Sequence, residues 1–104
     1  MREFVGYVGP SEIHDATIER VDAEPNRLMV ILRSGDASGA GLRIEFSEPA
    51  EVDRERSVGM TLYALAELRG GGGRRRFSFV NWDEADAARL ELEASGIDWS
   101  IVGS

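Results

Sequence analysis

The sequence predicts a mainly β domain. The expected architecture is a single antiparallel, strongly twisted sheet or half-open barrel of about six or seven strands, with at most one or two short helices. Three observations carry that prediction. Apolar residues alternate with polar ones at period two rather than 3.6 along most of the chain. The alternating runs are short. Turn-forming Gly, Pro, Asn and Ser separate them.

The elements follow in order. A first strand is expected from about Asp15 to Ala23, with Ala16 and Ile18 on one side. Glu24-Pro25-Asn26 turns the chain into Leu28-Met29-Val30-Ile31-Leu32, flanked by Arg27 and Arg33. The length of this apolar run favours a strand covered on both faces. Ser34 to Gly41 form a Gly- and Ser-rich loop. Leu42-Arg43-Ile44-Glu45-Phe46-Ser47 then alternates strictly, the pattern of a half-buried strand.

Met60 to Leu68 holds good helix formers, yet Met60, Leu62, Ala64, Ala66 and Leu68 also alternate. Gly70 to Gly73 and the Phe77-Ser78-Phe79 run that follow favour a hairpin here. Asn81 extends the Phe77–Phe79 face. Asp83 to Ala88 suggests one helical turn with Asp83 as N-cap. Leu90, Leu92 and Ala94 alternate, as do Ile97, Trp99 and Ile101. Ser95-Gly96 between them reads either as a two-residue hairpin turn or as a bulge in one long strand. The expected core is Ile18, Val30, Leu32, Leu42, Ile44, Phe46, Leu62, Phe77, Phe79, Leu90, Leu92 and Trp99.

Composition narrows function. The 104 residues suit one domain, with 42% hydrophobic residues to build a core. The chain has no Cys and no Lys, and His14 is its only histidine. Thiolate nucleophiles, disulfides, zinc–thiolate sites and lysine Schiff bases are thereby excluded. The net charge of −7 opposes general binding to nucleic acid or anionic lipid. The acid at Glu3 interrupts the apolar stretch a signal peptide needs, and no apolar run approaches a membrane span. A cytoplasmic protein without a cofactor, metal or membrane partner is expected.

Three groups could carry chemistry or binding. His14-Asp15 offers the residue types of an oriented general base. Adjacent residues of a strand point to opposite faces, however, so the expected role is to close a turn or bond backbone. Arg74-Arg75-Arg76 follow the glycines as a basic finger and, with Arg69, could bind phosphate or nucleic acid. A solvated hairpin that discourages edge pairing is the expected outcome. Asn81-Trp82-Asp83-Glu84-Ala85-Asp86 clusters carboxylates near an Asn, as a hard cation needs. It lacks the Gly and terminal Glu of a calcium loop, which favours a capped strand exit with Trp82 packed on the sheet. No Gly-x-Ser-x-Gly elbow surrounds any serine, Ser38 of Asp36-Ala37-Ser38-Gly39 included.

The order of His14-Asp15-Ala16-x-Ile18, a Leu/Val/Ile strand, Ile44-x-Phe46 and Leu90-Glu91-Leu92-x-Ala94 resembles small bacterial β-rich proteins of uncharacterised function. Some of those are grouped with immunity proteins of polymorphic toxin systems. The resemblance brings no catalytic assignment with it. The missing catalytic chemistry and sheet edges that need partners make a non-catalytic protein-interaction module the expected function. The alternatives are an Arg-mediated phosphate or nucleic-acid binder and a small hydrolase or isomerase using His14. Open sheet edges further predict a homodimer.

Overall fold

The alternating runs pair into two antiparallel sheets in a computed structural model that describes residues 3–35 and 39–102. Residues 36–38, Ser38 among them, lie outside the described residues. The strands are β1 (Phe4–Tyr7), β2 (Thr17–Glu24), β3 (Arg27–Arg33), β4 (Gly41–Ser47), β5 (Ala50–Glu55), β6 (Leu62–Arg69), β7 (Arg75–Asn81), β8 (Arg89–Ala94) and β9 (Gly96–Val102). One sheet has the order β1-β6-β7-β8-β5, the other β2-β3-β4-β9. The mainly β, antiparallel class holds. The single sheet of six or seven strands does not. The two unforeseen strands, β1 and β5, are short edges with no clean alternation. Among the described residues the only helical elements are two three-residue 3-10 turns, Ser11–Ile13 and Gly71–Gly73. Among the described residues no helix is long and apolar enough to cross a membrane.

The sheets share a corner. β4 runs through Glu48-Pro49 into β5 while its partner β8 runs through Ser95 into β9. Pairing continues through the bend, with Ser47 opposite Gly96 on one side and Ala50 opposite Glu93 on the other. Glu48 takes a left-handed φ of 50° to make it. Ser95-Gly96 is therefore no hairpin turn. The chain stays one long strand that bends and changes sheets, a common way of turning a β-sandwich corner. A second junction stitches β2 to the start of β6: Ile18 N–H donates to Met60 C=O, and Leu62 N–H to Ala16 C=O.

The core lies between the sheets. Phe46 of β4 packs on Phe77 and Phe79 of β7, ring centroids 5.1 and 5.9 Å apart. Ile18, Val30, Leu32, Leu42, Ile44, Leu62, Leu90 and Leu92 are buried around them, joined by Ile13, Leu28 and Leu65. Trp99 is the exception among the expected core residues, at 41% exposed. It opposes Ile44 and shares its inward face, but β9 is the last strand of its sheet. Exposure rises along β9 to 55% at Ile101, so this end of the inner face has no opposing cover.

Other local readings change as well. β3 is fully buried on one face only; Met29 and Ile31 on the other are half-buried. A register shift between Leu62 and Ala64 breaks the alternation of β6. Leu62 and Leu65 consequently face the core, while Ala64, Ala66 and Leu68 oppose the outward-facing Val80, Ser78 and Arg76 of β7. Asp83 caps no helix. Its carboxylate accepts from Ala85 N–H in a turn, the local bond that Asp forms most readily.

Candidate functional site: an exposed aromatic strip

The strip begins with how the chain enters β2. Pro10 opens the first 3-10 turn, and the buried Ile13 anchors it to the core. Asp15 then adopts φ 69°, in the left-handed region. His14 and Asp15 therefore sit in the turn that leads into β2, as their turn-closing reading has it, and not at adjacent positions of a strand. Asp15 N–H donates to Leu62 C=O at 2.9 Å. Gly35 passes so close that a Cβ there would overlap the Asp15 carbonyl oxygen, so only glycine fits.

β6 supplies the next ring. Tyr63 falls at the register shift, which releases it from the alternation and leaves it exposed. Trp82 follows β7, with its backbone N–H on Thr61 C=O. Its indole Nε1–H donates to Asp15 Oδ1 at 2.8 Å. The His14 ring lies 5.4 Å from Tyr63 and 5.3 Å from Trp82, centroid to centroid. Tyr63 stands edge-on to Trp82 at 5.1 Å. Tyr7 of β1 continues the row 6.4 Å from Tyr63, and Phe4 ends it 5.1 Å from Tyr7. Five aromatic rings from four parts of the chain thus form one unbroken exposed strip.

Two shallow clefts meet at His14. One, of about 260 Å³, is apolar and lined by Tyr7, Pro10, Ile13 and Tyr63. The other, of about 310 Å³, is polar and lined by Glu12, Asp15, Ser34 and Gly35. Asp83 and Glu84 follow Trp82 directly, so the Trp82 end of the strip is acidic.

The His14 geometry does not suit a relay. Nδ1 lies 3.0 Å from the Tyr63 carbonyl, which only accepts, so Nδ1 carries a proton and donates it. Asp15 Oδ2 stands 3.9 Å from Nε2, beyond hydrogen-bond reach. The carboxylate is beside the outer nitrogen rather than behind the inner one, the reverse of an acid–His–nucleophile arrangement. His14 acts here as a ring held between two others.

The arginines lie elsewhere and are occupied. β7 is the middle strand of its sheet, so Arg74 to Arg76 protect no edge. Arg75 forms a two-bond fork with Glu67 at 2.8 and 3.0 Å, which holds the Glu67 carboxyl below the usual glutamate range. Arg76 is buried and bonds Glu91 at 2.7 Å through Nε, with Glu93 at 3.5 Å. Arg74 Nη2 donates to Glu48 C=O, and its Nε is 3.8 Å from Glu93. Arg69 is exposed and meets Glu3 at 3.4 Å. Carboxylates flank the finger, because β8 sets Glu91 and Glu93 across from Ser78 and Arg76, while Arg74 and Arg75 stay partly open to solvent.

In the Asn81–Asp86 segment the polar groups hold one another. Asn81 Nδ2 donates to Asp86, whose carboxylate also accepts from Ala88 N–H. These bonds, the backbone one first, lower the Asp86 pKa. Among the described residues no group of three His, Asp or Glu is placed to hold a metal.

The structure therefore brings His14 and Asp15 together with Trp82, which the sequence holds in two separate groups; Asp83 follows Trp82 and turns its carboxylate to Ala85 N–H. It separates all four from the arginines. Tyr63, Tyr7 and Phe4 were missed as site residues. Their one sequence signal is a large aromatic within two residues of a glycine, as at Phe4 and Tyr7, or in a run of uncertain class, as at Tyr63. No family model, curated protein or solved structure matches the chain.

Proposed function

We propose that the chain is a non-catalytic protein-interaction module whose docking face is the strip from Phe4 to Trp82. The observation that carries this reading is the continuity of five exposed rings. Aromatic side chains dominate binding hot spots because they bury large rigid surfaces at low entropic cost. The partner is a protein segment with apolar anchors for the Tyr7–Tyr63 cleft and Arg or Lys for the acidic Trp82 end. Cation–π contact with Trp82 and the negative charge of Glu12, Asp15, Asp83 and Glu84 favour such a cation. The resemblance to immunity proteins agrees with a module of this kind, and its partner would then be a toxin protein. The occupied guanidiniums argue against the phosphate-binding alternative.

Affinity capture from the source cell, followed by identification of the bound protein, supplies the partner for a quantitative test. The purified partner is then titrated calorimetrically against wild type, Tyr63→Ala, Trp82→Ala and a control, Arg20→Ala. Arg20 lies on β2, in the other sheet from Tyr63. At least a tenfold loss of affinity in the two strip variants, with Arg20→Ala unchanged, is expected. Equal affinity across all four proteins overturns the reading.

A further inference from the structure

We propose that β9 pairs with β9 of a second copy of this chain, antiparallel and centred on Trp99, to give a two-fold dimer with one continuous eight-stranded sheet. Of the four edge strands, three are guarded. β1 has four residues and a register shift between Phe4 and Gly6. β5 carries Glu51, Asp53, Arg54 and Glu55 and a register shift. β2 carries Glu19, Arg20, Asp22 and Glu24 and shifts register after Ile18. Charges and bulges of this kind block edge pairing. β9 has neither: it pairs with β4 without interruption from Gly96 to Val102 and holds one charge, Asp98.

The backbone groups of β9 alternate between β4 and the open edge. Ser34 N–H bonds Ala40 C=O and Glu48 N–H bonds Asn26 C=O, so even-numbered residues of β4 turn toward β3. Odd-numbered ones turn toward β9, where they oppose Gly96, Asp98, Ser100 and Val102. Ile97, Trp99 and Ile101 therefore direct N–H and C=O to the open edge. Trp99 N–H agrees, since it donates to the Asp98 carboxylate at 2.9 Å.

Charge then decides between the registers centred on Trp99 and on Asp98. Centring on Trp99 sets Ile97 opposite Ile101 of the second copy and Trp99 opposite its own counterpart. All of these lie on the inner face, where Trp99 and Ile101 are exposed in the monomer and Ile97 packs in part against the core. On the outer face Asp98 meets the Ser100 hydroxyl, which can donate to it. Centring on Asp98 would instead oppose two carboxylates. In the pair, Trp99 N–H passes from Asp98 to the facing Trp99 carbonyl.

The absence of cysteine from the chain makes the register directly measurable. Asp98 and Ser100 would be a non-hydrogen-bonded pair across the dimer, with Cα atoms about 4.5 Å apart, within disulfide reach. The pairs 98–98 and 100–100 would be diagonal neighbours about 7–8 Å apart, outside it. Mild oxidation of an equimolar mixture of Asp98→Cys and Ser100→Cys chains is expected to give mainly the mixed disulfide. Sedimentation of the wild-type chain from about 10 µM to about 1 mM should show a monomer–dimer equilibrium, as for a small interface. Ser100→Asp, which faces Arg43 within the monomer, should weaken the dimer at least tenfold without unfolding the protein. Ile101→Pro should abolish it, because the lost N–H faces the open edge. A monomer at 1 mM, like disulfides forming as fast as the mixed one, or species growing beyond dimer would each overturn the proposal.

Discussion

The Trp82 indole N–H donates to the Asp15 carboxylate across 2.8 Å and thereby ties the end of β7 to the entrance of β2. The two residues are 67 positions apart, and the bond fixes one end of the aromatic strip. It also gives Asp15, in its left-handed turn, a partner outside its own segment.

A double-mutant cycle between Trp82→Phe and Asp15→Asn should give a coupling of about 1 kcal/mol or less, the range of a solvent-accessible hydrogen bond. Urea unfolding of the four proteins measures it. Gly35→Ala should cost more, about 1–3 kcal/mol, since its new methyl would overlap the Asp15 backbone. A shift of the Trp82 indole N–H resonance should accompany that loss.

Phe46→Ala should destabilise by about 3–5 kcal/mol, because its ring is fully buried between the sheets. Trp99→Ala should cost about 1 kcal/mol at most in the monomer, despite the larger side chain. Denaturant unfolding at low protein concentration separates the two. Equal losses would mean that β9 is covered in solution even as a monomer.

Arg76→Ala should destabilise by about 3 kcal/mol, since it leaves the buried Glu93 with only Arg74, 3.8 Å away, as a cationic neighbour and removes the partner of Glu91. Adding Glu93→Gln should recover part of the loss. Labelled DNA and RNA titrated at low salt should show no micromolar, salt-sensitive binding to the wild-type chain, because Arg74 to Arg76 already face carboxylates.

The Glu67–Arg75 fork makes stability depend on pH. Its arginine bonds lower the Glu67 pKa in the folded protein, with burial opposing them. A depressed carboxyl contributes stability that is present above its unfolded value and is lost as pH falls through the folded one. The stability difference between wild type and Glu67→Gln should therefore be constant near pH 7 and shrink below the ordinary glutamate range. Thermal unfolding of both proteins from pH 7 to pH 3 tests the sign.

The strand content and most of the core were legible from the sequence. Where alternation is strict, as in Leu42-Ile44-Phe46 and Leu90-Leu92-Ala94, the buried face follows from the pleat alone. The residue types of the candidate site were legible too: His14, Asp15, Trp82 and Asp83 stood out by chemistry. Tertiary structure decided the rest. Splitting the strands between two sheets depends on bends at Glu48 and Ser95, and a bend leaves the same alternating pattern as a bulge. Trp99 has an inward-facing position in either case, and whether anything covers it depends on the opposing sheet. Arg74 to Arg76 form a basic run in sequence and are neutralised only by strands that pair with them in space. The aromatic strip is wholly a product of folding, because a period-two pattern assigns a side chain to a face and carries no information on which distant rings share that face.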